Sequence, residues 1–204
     1  MADAPINAAQ QRFSSVAILL HWIIAVLILI NIALALQFDD LKGMAKFNLM
    51  QLHKSLGITV LLLSLVRLGW RATHRSPPYP EHMPTWEKAA ASALHWAFYA
   101  LIIAIPLTGW AVVSASPTNI PTLLYKAIPW PHIGYIHSLP MATRKPLEEN
   151  LGDLHGYLAY GSLVLLVLHV GAALKHQVWN RDYVLWQMLP IGGLKPKPQP
   201  SKDS

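Results

Sequence analysis

Apolar residues in this chain fall in long unbroken runs, not at every second or every third-to-fourth position. The first run extends from Val16 to Leu36, 21 residues. A helix needs about 20 apolar residues to cross a hydrocarbon core about 30 Å thick, so one such run suffices for one crossing. Three more follow, at roughly Leu49–Trp70, Ala89–Ser114 and Gly152–His176. Polar connectors separate them. Gln37–Asn48 joins the first two. A proline-rich stretch, His74–Pro80, cannot continue a helix and ends the second. Thr85 and Lys88 flank the start of the third span, where Pro106 predicts a kink. Residues 115–150 form the longest connector, with seven proline or glycine residues and aromatic Tyr125, Trp130 and Tyr135. It is expected to lie on a membrane surface with short helices of its own. The pattern predicts an all-α membrane protein, a four-transmembrane-helix bundle over residues 13–190. A polar segment, 1–12, precedes it. A Pro- and Lys-rich tail, 191–204, is expected to be disordered and cytoplasmic.

A secretory leader is the competing reading of the first run, because Ala33-Leu34-Ala35 looks like a cleavage site. The run exceeds the about 7–15 residues of a leader's apolar region, and few basic residues precede it. It is therefore read as a span.

Composition narrows the chemistry. Hydrophobic residues make up 53% and charged residues 13%, against roughly a quarter charged in soluble domains. The absence of cysteine excludes disulfides, iron–sulfur clusters and covalently attached haem. The net charge of +6 reports residues flanking the spans. With no base-reading motif, nucleic acid is not a partner. Four spans put both termini on one side. That side carries ten Lys and Arg residues against five opposite, with Lys54 assigned to neither, which predicts cytoplasmic termini.

Ten histidines is many for this length, and several lie inside the apolar runs. His155 and His169 are fourteen residues apart, close to four helical turns, so both occupy one face about 21 Å apart. The topology gives His53 the depth of His155 and His21 the depth of His169. Ionisable groups inside a bilayer are costly and usually face the interior for a function. Two imidazoles on facing helices can ligate one haem iron from both sides, so the four form two metal sites and imply two non-covalent b haems. Arg67, fourteen residues after His53, returns to the same face at the depth of the inner site and suits a propionate. Arg71 is a second such cation or one that snorkels to the surface. Gly57, Gly156 and Gly171 are small enough beside the ligands to admit a flat ring. His95 reads as a propionate or quinone contact, or as an interfacial histidine beside Trp96. His176 is expected to meet terminal carbonyls and water. His74, His82, His132 and His137 are expected in solvated loops.

Taken in order, Leu19-Leu20-His21-Trp22, Gln51-Leu52-His53-Lys54-Ser55-Leu56-Gly57, Val66-Arg67, Ala93-Leu94-His95-Trp96, Leu154-His155-Gly156, Leu168-His169 and Ala173-Leu174-Lys175-His176 resemble the bacterial cytochrome b561 family. The similarity covers about residues 13–190. It implies a dihaem b-type cytochrome of the inner membrane with His21, His53, His155 and His169 as ligands. The family includes a superoxide oxidase that passes electrons to ubiquinone. The 115–150 connector is long for the family.

The expected function is transmembrane electron transfer, with electrons exchanged with a quinone near His95 or Lys175. One alternative is oxidation of superoxide at the outer face, drawn in by a positive charge such as Lys54. Another is a cytochrome subunit anchoring a periplasmic redox partner on the 115–150 connector. A transporter has no support, because the spans hold no acidic chain and no internal repeat.

Overall fold

A computed structural model of the chain describes residues 12–80 and 83–190. Expectations for residues 1–11, His82 and the tail 191–204 lie outside the described residues. Four long helices carry the fold: α1 (Ser15–Ala35), α2 (Gly43–Thr73), α3 (Thr85–Ala115) and α5 (Met141–Lys175). A hairpin, β1 (Thr122–Leu124) with β2 (Ile128–Trp130), and one short turn of helix, α4 (Gly134–His137), lie between α3 and α5. All four long helices are apolar enough to cross a membrane. Their outer faces keep large apolar side chains exposed, such as Val167 at 71%. Such a surface is unsuited to water and suited to lipid.

Each boundary has a local cause. The Ser14 hydroxyl caps α1 by accepting from the Ala17 N–H at 3.3 Å. The Pro-rich stretch after Thr73 stops α2. Two helices begin earlier than their apolar runs. α2 starts at Gly43, and α5 starts at Met141 directly after Pro140. Residues 141–150 therefore belong to α5 and not to the connector. Arg144 fixes this added turn. Its buried guanidinium donates to the Ala115 and Ser116 carbonyls at the end of α3 and to the Asn119 side chain. A cation on the last carbonyls of a helix also complements its dipole.

Close backbone packing joins α1 to α2, α2 to α3, and α3 to α5. Buried apolar residues gather on α2 (Leu56, Ile58, Val60, Leu61) and on α1 (Ile18, Ile24). We label as inner the end of the bundle that holds the start of α1 and the end of α5. There, residues after α5 fold back across the bundle. The Phe13 N–H donates to the Gln187 carbonyl at 3.2 Å, and the Trp22 indole donates to the Met188 carbonyl at 2.8 Å.

At the outer end the hairpin lies along a polar stripe of α2. Gln51, Ser55 and Thr59 recur every four residues and so share one helix face. The Gln51 amide donates to the Pro121 carbonyl at 2.8 Å, the Ser55 hydroxyl accepts from the Tyr125 N–H at 3.0 Å, and Thr59 bonds the Tyr125 hydroxyl at 2.6 Å. Tyr125 and Lys126 turn the hairpin with φ of 51° and 62°. Those left-handed angles strain residues other than glycine.

Candidate functional site

The structure brings the four intramembrane histidines together as two pairs. His21 of α1 meets His169 of α5 with ring centroids 6.3 Å apart, and His53 of α2 meets His155 of α5 at the same 6.3 Å. Neither α1 with α5 nor α2 with α5 is among the close backbone packings. The rings thus reach toward each other across the bundle interior.

Hydrogen bonds fix the outer pair. His53 Nδ1 donates to the Asn31 carbonyl at 3.1 Å. His155 Nδ1 donates to the Ile105 carbonyl at 2.9 Å, with the Thr108 hydroxyl 3.2 Å away. A carbonyl can only accept, so both rings carry their proton on Nδ1 and keep the Nε2 lone pair for a ligand. The Ile105 carbonyl lies beside Pro106. Proline has no N–H, so the carbonyl that loses its helical donor is that of Ile102, one turn earlier.

The inner pair is built differently. His21 Nδ1 meets Arg67 Nη1 at 3.1 Å. Arg67 can only donate, so it assigns the proton of this ring to Nε2. The Arg67 guanidinium also lies over the Tyr99 ring, 5.7 Å from its centroid. His95 comes within 5.8 Å of His169, and Phe98 within 5.4 Å. His95 therefore stands at the inner site, on its exposed side.

Among the glycines, the close approach falls at Gly109, which sequence reasoning missed. A Cβ there would stand 3.1 Å from His155 Cε1. Gly57 faces the Asn31 amide at 3.8 Å, whereas Gly156 and Gly171 have no atom within 4 Å of a Cβ. The interruption of the apolar run Ala100–Val113 by Thr108-Gly109 was the available signal.

The remaining histidines form local structures. His176 is buried, not solvated. Its Nδ1 bonds Asp182 at 2.5 Å, and its Nε2 lies 3.8 Å from Glu87 of α3. Lys175 pairs with the other Glu87 oxygen at 2.7 Å. Helix α5 turns into a π-helical segment, His176–Asn180, at this point. The His176 cluster thus ties the end of α5 to the start of α3, where carbonyl capping was expected. His74 stacks on Trp70 at 3.8 Å, and His132 stacks on His137 at 4.6 Å. His74 is exposed, as expected of a solvated residue, whereas His132 and His137 are half-buried and His137 belongs to α4.

The donor set can be tested against a cofactor. Among the described residues no group of three or more His, Cys, Asp or Glu gathers to cage a bare ion. Two imidazoles per site suit a metal that brings its own equatorial ligands. Imidazole–metal bonds of about 2.0–2.1 Å on both sides of one ion, plus about 1.1 Å from each nitrogen to its ring centre, put two in-line rings about 6.3 Å apart. Both observed pairs have that separation. The outer pair fits a haem iron as it stands, and the inner pair has the same separation, with the His21 lone pair engaged by Arg67.

Four apolar helices around paired intramembrane imidazoles define a multi-pass membrane protein of the cytochrome b type. The sequence model of prokaryotic cytochrome b561 matches residues 12–191, and the chain belongs to that family. It is 29% identical to cytochrome b561 homolog 1 of Escherichia coli K12 over 88% of this chain and 97% of that protein. It is 29% identical to cytochrome b561 homolog 2 of the same organism, over 88% and 92%. A probable superoxide oxidase of Yersinia pestis, CybB, is 27% identical over 88% and 97%. Membership carries b-type haem binding and membrane electron transfer.

Proposed function

We propose that this chain conducts electrons across a bacterial inner membrane by way of two b-type haems, one held by His53 and His155 and the other by His21 and His169, in exchange with a quinone at the inner end. The observation that carries the reading is the shared 6.3 Å separation of the two histidine pairs. When bound, haem supplies one-electron chemistry between ferric and ferrous iron. The protein's residues do the rest. His53 and His155 present Nε2 because backbone carbonyls hold their Nδ1 protons. With two imidazoles on the iron, no coordination position is left for dioxygen.

Were His21 to hold an iron through Nε2, its ring proton would sit on Nδ1 and oppose the Arg67 guanidinium that now donates there. Arg67 would then need another acceptor, and a haem propionate would supply one. The termini and the inner end belong on the cytoplasmic side, as the Lys and Arg balance indicates. His95 is the polar group placed to meet a quinone head beside His169.

Liposomes carrying the protein, with ferricyanide sealed inside, test the reading. A membrane-impermeant reductant outside should be consumed only when the haem-loaded chain is present, and equal rates without it would sink the proposal. In the same preparation, His95→Ala should keep both haems and slow reduction by quinol at least tenfold. An unchanged rate would remove His95 from quinone exchange.

A second reading has its own observation. At the outer end His132 lies within electrostatic reach of His137, Arg144 and Lys54, and the last two are cationic; Lys54 follows His53 directly in the chain. That charge would attract an anion such as superoxide. Two superoxide ions would each give one electron, leaving two dioxygen molecules, and one quinone would take both electrons with two protons. Superoxide-dependent quinol formation, lost in Lys54→Gln, separates this activity from a passive relay.

A further inference from the structure

Where α2 ends against α3, a cleft of about 660 Å³ opens at the inner end of the bundle. Leu68, Arg71, Thr73, His74, Arg75 and Trp96 are among its walls. Three features distinguish it from an ordinary basic helix end. First, one cation in the last turn satisfies the dipole of α2, and Arg71 is that residue. Arg75 lies beyond the C-cap, His74, and adds a second guanidinium to the same cleft. Second, neither arginine pairs with a carboxylate among the described residues, where the ion pairs involve Lys175 and His176. Third, His74 is fixed at the cleft by its stack on Trp70, by its Nδ1 contact with the Trp70 carbonyl at 3.1 Å and by the Thr73 hydroxyl at 2.9 Å.

The walls are graded along the helix axis. Leu68 precedes Arg71 by three residues, about 4.5 Å deeper toward the bundle centre. Trp96, 62% exposed, faces the same space from α3. Apolar walls toward the membrane centre and guanidiniums toward its surface match a molecule with an anionic head and apolar chains. A free phosphate would have no use for Leu68 and Trp96. A quinone head is neutral and would have no use for two guanidiniums.

We propose that this cleft binds the headgroup of an anionic phospholipid, with the phosphate on Arg71 and Arg75 and the acyl chains over Leu68 and Trp96. Basic pockets between membrane helices take such headgroups, and each basic residue near a membrane surface contributes about 1 kcal/mol, or about fivefold. The assignment is independent of haem ligation.

Native mass spectrometry of the full chain released from bilayers mixing phosphatidylcholine and phosphatidylglycerol tests it. Wild type should retain phosphatidylglycerol selectively. Arg71→Gln with Arg75→Gln should lower that retention by roughly an order of magnitude, and Arg71→Lys with Arg75→Lys should keep a large part of it. A control pair, Lys88→Gln with Arg181→Gln, removes the same charge from the same end and should leave retention as in wild type. Equal loss in the control pair would overturn the site, since it would reduce to diffuse charge attraction. Displacement of the lipid by millimolar inorganic phosphate, or by a short-chain ubiquinone, would overturn the lipid assignment. Circular dichroism and elution volume confirm that each variant is folded.

Discussion

At the scale of single residues, the two histidine pairs differ in what stands behind them. Backbone carbonyls accept from the outer rings, which makes them more basic and would favour ferric iron in the proposed outer haem. A guanidinium stands beside the inner pair, and a fixed cation favours the reduced, less positive state. Arg67→Gln should therefore lower the midpoint potential of one haem and leave the other in place. A redox titration followed by visible spectroscopy reads this directly. Equal shifts of both haems, or none, would take Arg67 out of the inner site. The depth of each histidine was legible in the sequence, because helix rise converts residue spacing into distance. The burial of His176 was not. It depends on Asp182 and Glu87, which only the turn after α5 and the approach of α3 bring to it. Gly109 was equally hidden, since its role is set by how closely α3 passes His155.

At the scale of elements, the connector between α3 and α5 is more ordered than its proline content suggests. Its hairpin hangs on three polar side chains of α2. Ser55 is fully buried and serves the Tyr125 N–H. Ser55→Ala leaves that donor unsatisfied, at a cost of about 1–3 kcal/mol. Hydrogen exchange over residues 120–130 should rise accordingly, while exchange within α1 stays unchanged. Gln51, Ser55 and Thr59 were visible as polar positions in an apolar run, but nothing in the sequence named the hairpin as their partner. The early start of α5 was hidden for a similar reason. Its first turns are polar, and Arg144 holds them by contacts with the end of α3. Pro146 reads as a breaker, yet close to a helix start it removes little of the ladder.

The neighbouring segment responds to pH. Burial, together with His137, Arg144 and Lys54, holds the His132 imidazole below the ordinary histidine range. An unfolded histidine titrates near about pH 6.5. Above that value both states are neutral and the stacked pair keeps its full stability. As pH falls through 6.5, the unfolded segment gains a proton that the folded one refuses, so stability declines until the lower folded value is passed. Exchange protection over residues 131–138 should drop between pH 7 and pH 5 in wild type and stay level in His132→Asn. Parallel declines in both proteins would assign the effect elsewhere.

At the scale of the whole molecule, four apolar runs specify four crossings, and the alternation of direction places the histidines at two depths. The class of fold was therefore legible from run lengths alone. What the runs leave open is which helices are neighbours. The structure answers with α1 on α2, α2 on α3 and α3 on α5, so that α5 faces both α1 and α2 across the interior through its two histidines. One helix supplying a ligand to each site gives the two proposed haems a common support and a fixed separation. The most direct test of this account is the haem content and dithionite-reduced spectrum of the detergent-purified protein, wild type beside His155→Ala. Wild type should hold two b haems per chain and the variant one, with the remaining haem spectrally intact. A single haem in wild type, or a variant that still binds two, would contradict it.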